Sequence, residues 1–221
     1  MGGHMLLYWT AAEGAGRREA HDALAAAILC LGGATAGRWA TQVSLLRAAP
    51  PRSAMDDPPA ARQGGASGLA LHRVTLSDEP EQVFLLSRSA KQVLQAGAAD
   101  MQALLDKAVQ LKARGSVQLE GQAHAAGDFR ICLARAVQAP QQNFLGLLVD
   151  VGYQPLDDAE QAAPLLQDLA GVLQEAAEAA GGQLRQVEPG GAGFQLPAAF
   201  GAQHRAVQYV QLMAALLEQA G

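Results

Sequence analysis

Between Ser116 and Tyr153 the chain runs through three extended stretches, Ser116 to Ala125, Phe129 to Ala139 and Asn143 to Tyr153, parted only by Ala126-Gly127 and Ala139-Pro140-Gln141-Gln142. A parallel neighbour needs a crossover of about a dozen residues or more, so links this short force antiparallel pairing in a meander. In the middle stretch Phe129, Ile131 and Leu133 alternate with Arg130 and Cys132, which is the period of a strand. In the last, Leu145, Leu147, Leu148, Val149 and Val151 leave little polar face, which predicts cover on both sides.

The remaining segments extend this antiparallel core. Met5 to Thr10 reads as a short strand, Arg17 to Leu31 as a helix with Leu24, Ile28 and Leu31 at helical spacing, and Arg38 to Arg47 as a strand. Gly32-Gly33 is expected to stop the helix, because glycine accepts the left-handed cap conformation. Residues 50–68 (PPRSAMDDPPAARQGGASG) are too poor in apolar side chains to offset their ordering entropy and read as a mobile loop. Three further extended candidates follow, LALHRVTLS, QVFLLSRS and KQVLQAG. A helix is expected from Asp100 to about Lys112, another from Asp157 to Ala180 with Pro164 near its first turn, and a closing helix from Ala202 to Gln219. Residues 181–200 form a Gly/Pro-rich linker. With eight strands and four helices, the expected fold is α+β, an eight-stranded, mostly antiparallel β-barrel flanked by helices. Residues 5–221 make one domain. Met1-Gly2-Gly3-His4 ahead of Met5 reads as an expression leader and is set aside, His4 included.

Charge and cysteine usage narrow the function. A formal charge of −5 gives no broad positive field for phosphates, which argues against nucleic acid as a direct ligand and favours protein partners. Cys30 and Cys132 lie far apart among apolar neighbours, where cysteine acts as a small hydrophobe, and this fits a reducing compartment. No run of 18 or more apolar residues occurs and the start lacks signal-peptide zones, so a soluble intracellular protein with no membrane partner is expected.

The candidate chemical motifs are weak. Gly14-Ala15-Gly16-Arg17-Arg18-Glu19 sits between strand and helix as a dinucleotide fingerprint would, but Glu19 replaces the third glycine and would oppose a pyrophosphate. Gly65-Ala66-Ser67-Gly68 lacks the strand-to-helix context of a nucleophile elbow. Gly190-Gly191-Ala192-Gly193 lacks the lysine and hydroxyl residue of a phosphate loop. His21, His72, His124 and His204 fall on different elements without ligand spacing. Tunnel-type phosphohydrolases aim clustered acids into a barrel, whereas the strands read here carry only Glu120 and Asp150, so the interior should be filled and no catalytic, cofactor or metal site is expected.

Several stretches together resemble the Mediator subunit 20 family. They are Ala12-Glu13-Gly14 after the first strand, the helix end Leu31-Gly32-Gly33-Ala34, the meander from Asp128-Phe129 to Tyr153-Gln154-Pro155, and Ala206-Val207-Gln208-Tyr209-Val210-Gln211-Leu212-Met213 in the last helix. The resemblance implies a barrel-plus-helices fold and a non-catalytic place in the head module of the RNA polymerase II coactivator, in the nucleus. Its implied partners are Mediator subunit 18 as a heterodimer mate, the C-terminal helix of subunit 8, and, indirectly, other head subunits and the polymerase. The apolar surplus of the late strands points to a partner interface at Phe129, Ile131, Leu133, Leu145, Leu147, Val149 and Val151.

Overall fold

A computed structural model of the protein describes residues 3–12, 14–48, 70–107, 111–156, 159–188 and 193–220. The expected loop at 50–68 lies outside them. Nine strands and four helices follow in the order β1 (His4–Ala11), α1 (Arg17–Cys30), β2 (Ala34–Ala48), β3 (Ala70–Leu76), β4 (Glu79–Ser87), β5 (Gln92–Gly97), α2 (Ala98–Lys107), β6 (Leu111–Ala126), β7 (Phe129–Ala139), β8 (Asn143–Tyr153), α3 (Ala159–Ala179), β9 (Gly182–Gln186) and α4 (Ala202–Ala220).

All neighbouring strands pair antiparallel, in the sheet order β5-β4-β3-β2-β6-β7-β8-β1-β9. The meander is the continuous part β6-β7-β8, with Cys132 opposite Asp150 and Leu133 opposite Val149. The α+β class and the antiparallel sheet are as expected, but the strand pairing does not close, so β5 and β9 are edges rather than barrel neighbours. The unexpected ninth strand, Gly182–Gln186, lies in the supposed linker and pairs with β1. The chain after it reaches the opposite edge through single contacts: Gln195 N–H donates to the carbonyl of Lys91 at 3.0 Å, and the Lys91 ammonium lies 5.5 Å from the Phe194 ring centre.

Local chemistry explains the main boundaries. At the end of α1, Gly33 N–H reaches the Ile28 carbonyl and Gly32 N–H the Leu29 carbonyl, with Gly32 at φ +79°. That is the paired hydrogen bonding of a Schellman cap, which a side chain at Gly32 would strain. The helix expected from Asp100 to Lys112 instead ends at Lys107, and Leu111 and Lys112 already belong to β6. Pairing opposite Ala48 and Arg47 outweighs helical periodicity there. Pro164 stands in the second turn of α3, on its exposed side, rather than the first.

Each face of the sheet has its own core. Inward-facing Leu6, Trp39, Val74, Phe84, Leu119 and Leu148 pack around Val207, Tyr209, Val210, Leu212 and Leu216 of α4. Outward-facing Leu7, Ile131, Leu133, Val149 and Val151 pack beneath α1 and α3. A smaller cluster joins Met101 of α2 to Leu46, Val83 and Leu85. Strand β8 is therefore covered on both sides, as its composition demands. Each fully buried aliphatic side chain contributes about 1.5–3 kcal/mol, so α4 is an integral part of the core on one face of the sheet.

Candidate functional site

Three polar residues, Arg205, Gln208 and Tyr209, interrupt the otherwise apolar inner stripe of α4. Their spacing of three and four puts them on one helical face, and that face is the buried one: each is about 1% exposed. A buried polar group without a partner costs about 1–3 kcal/mol, so the sheet has to supply partners.

It supplies them at one end. The Tyr209 hydroxyl donates to Asp150 Oδ2, and Asp150, in the middle of the apolar strand β8, is completely buried. His4 Nε2 lies 3.1 Å from the same oxygen and His4 Nδ1 lies 3.1 Å from Gln208 Oε1. Gln208 Nε2 has no hydrogen-bond partner among the described residues. Arg205 grips the β3–β4 turn, its Nη1 on Asp78 and its Nη2 on Glu79 at 3.0 Å. Arg130 ties the two halves, 3.3 Å from Asp78 and 3.6 Å from Asp150. His4 also stacks on Phe200 at 5.6 Å between ring centres, and Tyr209 lies 6.1 Å from the Trp39 ring.

The electrostatics follow from this packing. Burial alone would push the Asp150 carboxyl up, but the charge and hydrogen bond of His4, then Arg130 and the Tyr209 hydroxyl, outweigh it and hold Asp150 well below the usual carboxylate range. Burial raises Tyr209 far above an ordinary tyrosine, with Asp150 adding to the shift. Burial, reinforced by Asp150, pushes the Cys132 thiol up to about 12. Arg130 is driven the other way by burial, yet its acidic neighbours, led by Asp150, keep it above its ordinary value.

Every carboxylate in this cluster is committed to a fixed donor, and the groups converge on one another. The adjoining hollow of about 240 Å³ is lined by backbone and by His4, Arg130, Tyr153, Gln154 and Arg205. Among the described residues no group of three or more His, Cys, Asp or Glu side chains is placed to hold a metal ion. The arrangement does the work of a latch that seats α4 in the sheet.

The residues singled out from sequence fall as follows. Ile131, Leu133, Leu147, Val149 and Val151 are buried under α1 and α3, Leu145 faces α4, and Phe129 is half-buried with its ring 4.9 Å from Tyr153. Leu133 and Leu147 also border a surface cleft. At the supposed nucleotide turn, a Cβ placed on Gly16 would meet the Glu19 carboxylate, so Glu19 folds over the α1 N-terminus where a phosphate would sit. The Gly65 to Gly68 motif lies outside the described residues, as do the first three residues of the Gly190 motif. His21 is near Asp22, His72 and His124 are buried on separate strands, and His204 lies against Phe200. Of the two acids expected on strands, Glu120 is exposed and Asp150 is the latch centre, and β4, which starts earlier than its apolar run suggests, adds Glu79 and Glu81. Cys132 is buried, but Cys30, expected to be packed likewise, is exposed at the end of α1. His4, set aside on sequence grounds, is part of β1 and of the latch.

A family model described as the TATA-binding related factor of subunit 20 of the Mediator complex matches residues 1–214. Mediator of RNA polymerase II transcription subunit 20b of Arabidopsis thaliana is 27% identical over 146 residues, which is 65% of this chain, and the match spans 66% of that relative's own length. Among solved structures, a chain of the Schizosaccharomyces pombe Mediator head module is similar at TM-score 0.35 and 11% identity, covering 78% of this chain and 94% of that one. The S. pombe Pct1 RNA triphosphatase is similar at TM-score 0.36 and 8% identity, covering 77% and 84%. Likenesses at that level carry no functional argument.

Proposed function

The chain belongs to the family of Mediator complex subunit 20, and from that premise we propose that it is a structural, non-catalytic subunit of the Mediator head module, acting in the nucleus in RNA polymerase II transcription. The single observation that carries this reading is the match of the family model to residues 1–214, through the α4 latch. The packing supports it: the face of the sheet opposite α1 and α3 is filled by α4, and the acids beside it are paired with Arg130 and Arg205.

In this role the chain pairs with a related subunit, Mediator subunit 18, forms a movable submodule with it, and is tethered through a helix of subunit 8. The late strands contribute to that interface through the rigid frame they build: Phe129 is half-buried, Ile131, Leu133, Leu147, Val149 and Val151 lie under α1 and α3, and Leu145 lies on the α4 side. Co-expression with a subunit 18 homologue should give a stable one-to-one complex on size-exclusion chromatography with light scattering. Two separate monomers at micromolar concentration would refute the pairing.

A further inference from the structure

The helices on the outer face leave one part of it open. Helix α1 on one side and strands β2, β6 and β7 on the other border a cleft of about 1090 Å³. Its rim carries Arg17, Arg18, Arg38 and Arg135 against Asp22 and Glu120, four cations to two carboxylates in a chain whose formal charge is −5. Its floor is apolar, from Ala25, Leu133, Phe144 and Leu147. Arg17 lies over the Phe144 ring at 4.8 Å and Arg18 pairs with Asp22 only loosely, at 3.7 Å. Arg38 and Arg135 are exposed, and no ion pair is recorded for either among the described residues.

A second observation points into the same cleft. His124, on the cleft wall, is 8% exposed, and its Nδ1 has no hydrogen-bond partner among the described residues. A segment seated in the cleft would lie over this residue.

We propose that the cleft docks a short acidic protein segment carrying aliphatic or aromatic anchors between its carboxylates. Guanidinium groups pair with carboxylates through paired N–H donors, which suits the rim. The anchors pack on half-buried Ala25 and Phe144, with buried Leu133 and Leu147 beneath them. Nucleic acid fits less well: single strands are gripped by open aromatic faces, and of the two aromatic rings lining the cleft Trp39 is buried and Phe144 is covered by Arg17. This site is additional to the pairing proposed above and does not depend on it.

The test uses the full chain and fluorescence anisotropy of a short labelled peptide rich in Asp with two spaced leucines. A counterpart with Lys for every Asp and a short oligothymidylate serve as controls. The acidic peptide should bind, the lysine peptide should not, and the doubly reversed variant Arg38→Glu with Arg135→Glu should bind at least about tenfold more weakly at unchanged Tm. Arg47→Glu, outside the cleft, should bind normally. Absence of acidic-peptide binding below millimolar concentration, equal binding by the reversed variant, or tighter binding of oligothymidylate would each overturn the proposal. So would light scattering showing that the cleft is instead covered by a second copy of the chain.

Discussion

Replacing Asp150 by alanine removes the acceptor shared by the Tyr209 hydroxyl, His4 Nε2 and, at 3.6 Å, the Arg130 guanidinium. All three lie against a carboxylate with no exposed surface, so water cannot take its place without opening the seat of α4. Deleting one partner of a buried charged pair costs about 3–5 kcal/mol. Unfolding entropy near 2.1 cal/mol/K per residue gives a 221-residue chain about 0.5 kcal/mol per kelvin, so Tm should fall by roughly 6–10 °C. Tyr209→Phe leaves His4 and Arg130 on Asp150 and removes one hydrogen bond to a charged acceptor, about 1.5–3 kcal/mol. Because both changes strike one network, the double variant should be less destabilised than the two singles added together. Urea unfolding followed by circular dichroism, with near-ultraviolet signal reporting the tyrosine environment, measures each. An Asp150→Ala loss under about 1 kcal/mol, or strict additivity with Tyr209→Phe, would refute the latch. The pH dependence gives a further check. Asp150 titrates lower in the fold than in the unfolded chain, so its contribution is present above about pH 4 and is lost as pH falls through the folded value. The alanine variant should therefore have a shallower acid limb.

His72 is held down to about 4 by burial and then by Arg88, so the unfolded chain takes up its proton first; stability should fall as pH drops from about 6.5 toward 4, and His72→Leu should flatten that stretch in urea midpoints measured across it. Leu216 is fully buried between α4 and the sheet, and Leu216→Ala should cost about 2–5 kcal/mol by thermal unfolding. An aromatic disulfide reagent should label exposed Cys30 quickly in the native protein and reach Cys132, buried with its thiol pushed up to about 12, only after unfolding. At Gly182 an added Cβ would meet Trp9 Nε1 and the Thr10 carbonyl, so Gly182→Ala should destabilise by about 1–3 kcal/mol through overpacking.

The meander was legible because period-two alternation and links too short for a crossover admit one pairing. The α1 cap was legible because Gly32-Gly33 has one common use after an apolar helical run. Strand β9 was not: Gly182–Gln186 has the polar, glycine-led composition of a linker, and only β1 beside it, with Gln174 capping the Leu184 N–H at 2.7 Å, makes it a strand. Closure could not be read either, since alternation fixes which face is buried and says nothing about whether the last strand meets the first. The latch left two faint signals, a lone acid in the apolar run of β8 and a polar trio at helical spacing in α4. Neither names its partner, because pairing Asp150 with Tyr209 across 59 positions depends on how α4 crosses the sheet. His4 gives no signal of its own, because a second methionine at position 5 makes the start read as a leader.

The account turns on this chain being a built-in part of the polymerase II coactivator. Purifying the tagged chain from nuclei of its own organism and identifying co-purifying proteins by quantitative mass spectrometry tests that most directly. The account predicts Mediator subunits at near-equal stoichiometry, a subunit 18 homologue foremost. Recovery of the chain alone, or with an unrelated set of proteins and a metal-dependent triphosphate hydrolysis that follows it through purification, would contradict it.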